Sequence, residues 1–169
     1  MTGTVYKSTG SWYYVKSEEN QFYNCRIKGK FRMKGIKSTN PIAVGDVVDF
    51  DLDETVDEVN GIITNIHDRK NYIVRKSVNL SKQTHIIASN IDIGFLIVTI
   101  NNPTTTTSFI DRFLVSAQAY GIPAAIVVNK IDEIISEQHQ DDLSNLMMIY
   151  ETIGYPVILT SATQSKNLN

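Results

Sequence analysis

The chain has 169 residues, 42% of them apolar, enough to bury a core and to form one large or two small domains. Its net charge of −2 is unevenly spread: residues 1–90 carry thirteen Lys/Arg against ten Asp/Glu, whereas residues 91–169 carry three against eight, so an anionic partner is to be sought on the first part. The longest apolar runs, Ile93 to Ile100 and Ile122 to Val128, fall far short of the ~20 residues a membrane helix needs, and "MTGTVYKSTG" lacks a signal peptide's apolar segment.

The expectation is therefore a cytoplasmic protein with no membrane partner. The single cysteine, Cys25, cannot form an internal disulfide, and no Cys/His cluster has metal-ligand spacing, so Cys25 is expected to face a core from a strand.

Up to about Asp68 the chain is a succession of short strand-like runs, "GTVYKS", "SWYYVKS", "QFYNCRIKG", "PIAVGDVVDFD" and "GIITNIHD", separated by Gly, Asn, Pro and acidic clusters. No stretch keeps a helical period, and five strands in about 70 residues match the size of an OB-type barrel, placed at residues 1–68. Within it "RIKGKFRMKGIK" alternates. Arg26, Lys28, Lys30, Arg32 and Lys34 fall on one side of a strand with Ile27, Phe31 and Met33 on the other, and Lys37 extends the basic set. Such a face can track a phosphate backbone, and the same face without a ligand is simply solvated. Of Trp12, Tyr13 and Tyr14, one could stack on a base, although core packing is the expectation for all three. "DLDETVDEVNG" reads as a hairpin loop; Glu54 stands where a calcium loop requires glycine.

Residues 69–90, "RKNYIVRKSVNLSKQTHIIASN", hold five Lys/Arg and no acid and read as an extended basic connector with room for local strand; the domain boundary is expected inside it. His85 has no partner in metal spacing. From residue 91 the pattern becomes strand, helix, strand, helix, strand. "IGFLIVTI" is a continuous apolar run, as expected of a strand covered on both faces. Ser108 and Asp111 have the spacing of a capping box, and Gly121 with Pro123 ends that helix. "AAIVVN" is a second strand. Leu143, Leu146, Met147, Tyr150 and Ile153 form a stripe on a second helix, stopped by Gly154 and Pro156, and "VILTSA" closes as a third strand. This order predicts a parallel sheet with ligands at its carboxyl ends.

At those ends lie Asn129-Lys130-Ile131-Asp132 and, on the third strand, Thr160-Ser161-Ala162. A carboxylate at Asp132 can accept from both guanine N1–H and the exocyclic amino group, donors that adenine lacks there. Asn129 can bond the purine and tie loops together, the stem of Lys130 can cover the base, and a backbone N–H near Ala162 can donate to O6.

With these residues in place the chain resembles the circularly permuted GTPases of the ribosome small-subunit-dependent GTPase A family. The matching stretches are "RIKGKFRMK" followed by "AVGDVVDF", "NIDIGFLIVT", "FIDRFLVSAQAYGIPAAIVVNKID" and "IGYPVILTSA", covering nearly the whole length. The resemblance implies an N-terminal OB-type RNA-binding barrel (1–68), the connector (69–90) and the guanine-binding half of a permuted α/β GTPase domain (91–169). It implies nucleotide-binding roles for Asn129, Lys130, Ile131, Asp132, Ser161 and Ala162, and RNA-binding roles for Arg26, Lys28, Lys30, Arg32, Lys34 and Lys37. The family uses GTP and Mg, carries Zn in a C-terminal domain, and acts on the small ribosomal subunit and its rRNA; a monomer is expected. This sequence reaches "TQSKNLN" without a G-x-x-x-x-G-K-[ST] loop, and Gly35-Ile36-Lys37-Ser38 has neither the spacing nor the context of one. The expectation is thus a fragment with a base site, no catalytic residue and no activity alone. The alternative from another class is a stand-alone OB-type RNA-binding module with a non-catalytic nucleotide-like scaffold.

Overall fold

The computed structural model describes residues 1–27, 41–53, 60–76 and 84–167, and the chain divides into two units, Met1–Ile91 and Asp92–Asn169. The first unit contains a closed five-stranded barrel formed by β1 (Thr2–Thr9), β2 (Trp12–Ser17), β3 (Phe22–Ile27), β4 (Val47–Leu52) and β5 (Asn60–Ile66), in the order β1-β2-β3-β5-β4. All neighbours are antiparallel except β3 and β5. Alternation puts Val5, Tyr13, Val15, Tyr23, Cys25, Val48, Phe50 and Ile63 inside. Cys25 is fully buried, as expected, and burial pushes its thiol up to about 12.

Two expectations for the barrel are corrected. The run from Pro41 does not all become strand: residues 41–46 form the loop before β4, and Asp46 is buried there. The three neighbouring aromatics do not share the core either. A period of two can bury only one side, so Tyr13 is inside while Trp12 and Tyr14 are exposed. The basic run beyond Ile27 (Lys28, Lys30, Arg32, Lys34 and Lys37) and the loop at 54–59 lie outside the described residues.

The basic connector forms an antiparallel pair, β6 (Tyr72–Lys76) and β7 (Thr84–Ser89), within the first unit. A buried ion pair fastens it. Arg69 donates from Nε and Nη2 to the two oxygens of Asp46, 2.6 Å each, and Ser89 Oγ donates to the same carboxylate. Backbone contact is close here: Ser89 N–H donates to Val44 O at 2.8 Å. A Cβ on Gly45, whose φ is +89°, would lie 2.0 Å from Ser89 O, so this position requires glycine.

The second unit is a parallel sheet of β8 (Gly94–Val98), β9 (Ala124–Val128) and β10 (Val157–Leu159), with β9 central, and two helices, α1 (Thr107–Ala119) and α2 (Glu137–Thr152). Leu96, Val98, Ile126 and Val128 face inward, where Ile110, Leu114 and Ala117 of α1 and Leu146 and Tyr150 of α2 are also buried. Tyr150 donates its hydroxyl to Asp111 Oδ1 at 2.9 Å, joining the helices. Asp111 is therefore not used in a capping box: α1 begins two residues earlier than that box requires, after Thr106 as N-cap, with no side-chain cap. Gly121 and Gly154 end the two helices with φ of +65° and +91°. Ile153, assigned to the buried stripe, is exposed at the C-cap of α2.

The expectation that the first apolar run is covered on both faces is not met among the described residues. Phe95 and Ile97 of β8 are exposed, Ile97 at 67%, and with Val127 and Ile158 they line an open cavity of about 420 Å³ on the face away from the helices. No described helix is long and apolar enough to cross a membrane.

Candidate guanine-base site

Parallel strands end on the same side of their sheet, so the residues following β9 and β10 meet. Asn129 N–H still donates to Val98 O of β8, and Thr160 N–H to Val128 O of β9, which fixes both departures from the sheet. Asn129 Oδ1 then accepts from Thr160 Oγ1 and from Ala162 N, each at 3.3 Å, and so ties the two loops together. The tying role read from the sequence for Asn129 is present in the geometry. The Ala162 N–H that was expected to point at a base oxygen instead donates to Asn129 in this structure.

Asp132 sits in a single 3₁₀ turn, Ile131–Glu133. Its carboxylate accepts from the hydroxyl of Ser161, which is fully buried, and from Thr163 Oγ1 at 2.8 Å. These two bonds, Ser161 first, hold its pKa below the ordinary carboxylate value, with a smaller contribution from Lys130. Asp132 is thus a fixed anion whose oxygens have lone pairs left for further donors. Lys130 takes a left-handed backbone, φ +61°, and its Nζ donates to Asn102 O at 2.6 Å while standing 3.8 Å from Glu133 Oε1. Asn102 Nδ2 in turn donates to Glu133 Oε2 at 3.2 Å. The side chain of Lys130 is thereby strapped to the loop after β8.

The structure thus brings together Asn129, Lys130, Ile131, Asp132, Ser161 and Ala162. It adds Thr163, Asn102 and Glu133, which reading the sequence did not single out, and joins Thr160, expected at the end of the third strand, to Asn129. Thr163 lies two residues past Ser161 and could have been found from that spacing; Asn102 and Glu133 enter only through the fold. Of the expected RNA-contacting residues only Arg26 is described: its guanidinium is half exposed and donates to the buried carboxylate of Asp53 at 2.7 Å. No three His, Cys, Asp or Glu among the described residues come together as a metal site.

A closed barrel followed by a parallel sheet whose adjacent strand ends carry Asn-Lys-x-Asp and Ser-Ala defines a two-unit protein, a β-barrel joined to a parallel α/β part with a candidate guanine-base site. It is similar to the solved structure of YjeQ from Thermotoga maritima, with a TM-score of 0.74 and 32% identity over 96% of this chain and 52% of that one. It is also similar to YloQ, described as a circularly permuted GTPase, with a TM-score of 0.71 and 28% identity over the same shares. The RsgA N-terminal domain matches residues 2–63 and the RsgA GTPase domain residues 66–169, and the chain belongs to the RsgA family. Proteins called small ribosomal subunit biogenesis GTPase RsgA are 68% identical in Flavobacterium johnsoniae and 50% identical in Bacteroides fragilis, in each case over the whole of this chain. The chain spans about half the length of these curated relatives, 52% and 53% respectively.

Proposed function

We propose that this chain is the RNA-binding and guanine-reading portion of a cytoplasmic GTPase that acts in maturation of the small ribosomal subunit. In this reading the barrel and basic connector engage rRNA through phosphates, with Arg26, Lys28, Lys30, Arg32, Lys34 and Lys37 as the cationic set. GTP is read at Asn129, Lys130, Ile131, Asp132, Ser161 and Ala162. The whole protein is a monomer that uses Mg with the nucleotide and carries Zn in a further domain; residues for both metals lie outside this sequence. The 169-residue chain alone neither hydrolyses GTP nor binds it tightly. A base site offering two or three polar contacts of ~1 kcal/mol each does not offset the several kcal/mol lost on immobilising a ligand.

The observation carrying this reading is the anion at Asp132, held by Ser161 and Thr163 beside Asn129 at two adjacent strand ends. It is tested in the full-length protein with Asp132→Asn. An amide presents a donor where guanine's amino group needs an acceptor, so preference is expected to move from GTP toward the xanthine nucleotide, whose O2 accepts. Unchanged selectivity for GTP would remove Asp132 from the site.

A further inference from the structure

Fixing a lysine in one geometry is unfavourable, because its long stem loses rotamer freedom and its hydrated ammonium gains little from a surface partner. Lys130 is fixed nonetheless. Its backbone is left-handed, φ +61°, a conformation that residues with a Cβ rarely adopt and that persists where neighbouring contacts over-determine it. Its Nζ donates to Asn102 O at 2.6 Å and stands 3.8 Å from Glu133 Oε1. Asn102 closes the triangle by donating from Nδ2 to Glu133 Oε2 at 3.2 Å.

Both partners are themselves held. Asn102 lies in the loop between β8 and α1, also with a left-handed backbone, φ +50°. That loop is tied across its base: Thr105 N–H donates to Thr99 O at 3.0 Å, Thr99 N–H to Thr105 Oγ1 at 3.2 Å, and Thr99 Oγ1 to Pro103 O. Glu133 ends the 3₁₀ turn that carries Asp132, and its N–H donates to Lys130 O at 2.9 Å. The two acids of one turn thus have different partners. Asp132 takes the hydroxyls of Ser161 and Thr163, whereas Glu133 takes Asn102 and faces Lys130.

Stability does not account for this arrangement. The side chains of Lys130 and Glu133 are 41% and 40% exposed, and an ion pair so placed is screened by water and contributes little to folding. What the triangle fixes is direction. With its ammonium committed to the loop after β8, Lys130 is stretched between its own backbone, next to Asn129, and the carbonyl of Asn102, and its methylene stem forms an apolar strip between them. Such a strip can cover the flat face of a ring. It does not distinguish one purine from another, because the purines differ in the donors and acceptors of their edges.

We propose that Asn102 and Glu133 are positioning residues for the nucleotide: they hold the ammonium of Lys130 on the chain so that its stem forms one wall for a purine ring. The proposal rests on the guanine-reading role given above to Asn129 to Asp132 and divides it: Asp132 sets which purine is chosen, and the strap sets how tightly any purine is held. Both strap residues are changed singly in the full-length protein. Asn102→Gly keeps the left-handed backbone and the carbonyl that meets Lys130, and removes only the amide bonded to Glu133. Glu133→Ala removes the whole carboxylate, and Glu133→Gln restores an amide oxygen for Asn102 without the charge. Hydrolysis of GTP and of inosine triphosphate, which lacks guanine's 2-amino group, is followed with Mg, and binding of GDP by calorimetry.

Loss of one exposed hydrogen bond predicts a rise of about twofold to tenfold in KM and in the GDP dissociation constant for Asn102→Gly and Glu133→Ala, and a smaller rise for Glu133→Gln. The factor is expected to be the same for GTP and inosine triphosphate, with kcat and Tm unchanged, as for a contact equally strong in the bound and transition states. Wild-type affinity in both Asn102→Gly and Glu133→Ala, while Asp132→Asn still alters selectivity, would overturn the strap alone. So would a changed ratio of GTP to inosine triphosphate, which would place Glu133 with Asp132 in choosing the base. A fall in kcat or Tm that accompanies the loss of affinity would overturn it too, by making both residues merely structural. Unchanged selectivity in Asp132→Asn would instead overturn the base-site reading on which the strap rests.

Discussion

Truncating Asp46 should destabilise the first unit more than any surface change, and the structure fixes the size of the effect. Its carboxylate is fully buried and accepts from Ala43 N, Arg69 Nε, Arg69 Nη2 and Ser89 Oγ. The side chain of Arg69 is only 6% exposed, and its Nη1 has no partner among the described residues. In Asp46→Ala the guanidinium keeps a single protein acceptor among those residues, Pro41 O at 2.9 Å. Breaking a buried pair from one side costs about 3–5 kcal/mol, because an uncompensated charge is left behind. Against a typical total of about 5–15 kcal/mol, that is about a fifth of the stability or more. Urea unfolding followed by Trp12 emission should show this loss, and it should persist at 1 M salt because a buried pair is poorly screened. Amide exchange at Ser89, bonded to Val44 O, should quicken as β7 loosens from the barrel. Asp46→Leu with Arg69→Leu should recover much of the loss, since the double change leaves no buried charge. A cost below about 1 kcal/mol for Asp46→Ala, or one that vanishes in salt, would mean that the pair behaves as a surface ion pair and that this reasoning is wrong.

Two further predictions concern titrating groups of the barrel. Cys25 is fully buried with its thiol pushed up to about 12, so at pH 8 a thiol reagent should label the native chain only through opening, with the rate rising in urea in step with unfolding; rapid native labelling would refute its burial. Asp49 accepts from Asn65, His67 and Thr2, and these bonds, Asn65 first, lower its pKa to about 2. A depressed carboxylate stabilises the folded state above its unfolded pKa of about 3.9 and loses that contribution as pH falls toward about 2. Stability measured between pH 5 and 2 should therefore decline less steeply in Asp49→Asn than in wild type, and equal slopes would refute the assignment.

What was legible in the sequence was whatever depends on a short period or on side-chain chemistry at a strand end. The barrel strands alternate, and Asn129 to Asp132 follow an apolar run too short for anything but a strand. Period two also contained the answer for Trp12 and Tyr14, because placing Tyr13 inward forces its neighbours outward. Asp111 was not legible in the same way: its spacing from Ser108 fits a cap, but Tyr150, 39 residues later, takes its carboxylate. The clasp of Asp46, Arg69 and Ser89 likewise joins residues 23 and 43 positions apart, beyond any local pattern. Phe95 and Ile97 show a different limit. An apolar strand face reads the same whether these residues or others cover it.

That uncovered face bears on the proposed base site directly. Asn129, Thr160 and Ala162 line the same open cavity as Phe95, Ile97, Val127 and Ile158, so the polar site and the apolar face share a border. The polar part is already organised by contacts within the chain: Asn129 Oδ1 is committed to Thr160 and Ala162, while its Nδ2 makes no hydrogen bond among the described residues and can donate to a purine. The oxygens of Asp132 take hydroxyl donors and keep lone pairs for a base, so guanine would add bonds rather than displace them. Apart from the Ala162 N–H, which is given to Asn129, little reorganisation then opposes recognition of a base, and what the site lacks among the described residues is burial. A polar contact beside open apolar surface competes with water, and the same contact gains strength once that surface is covered. A group filling the cavity over Ile97 and Ile158 would also border Asn129 and Ala162, which line it. Covering that face would thus also dry the surroundings of Asn129 and Ala162, because both belong to one cavity lining.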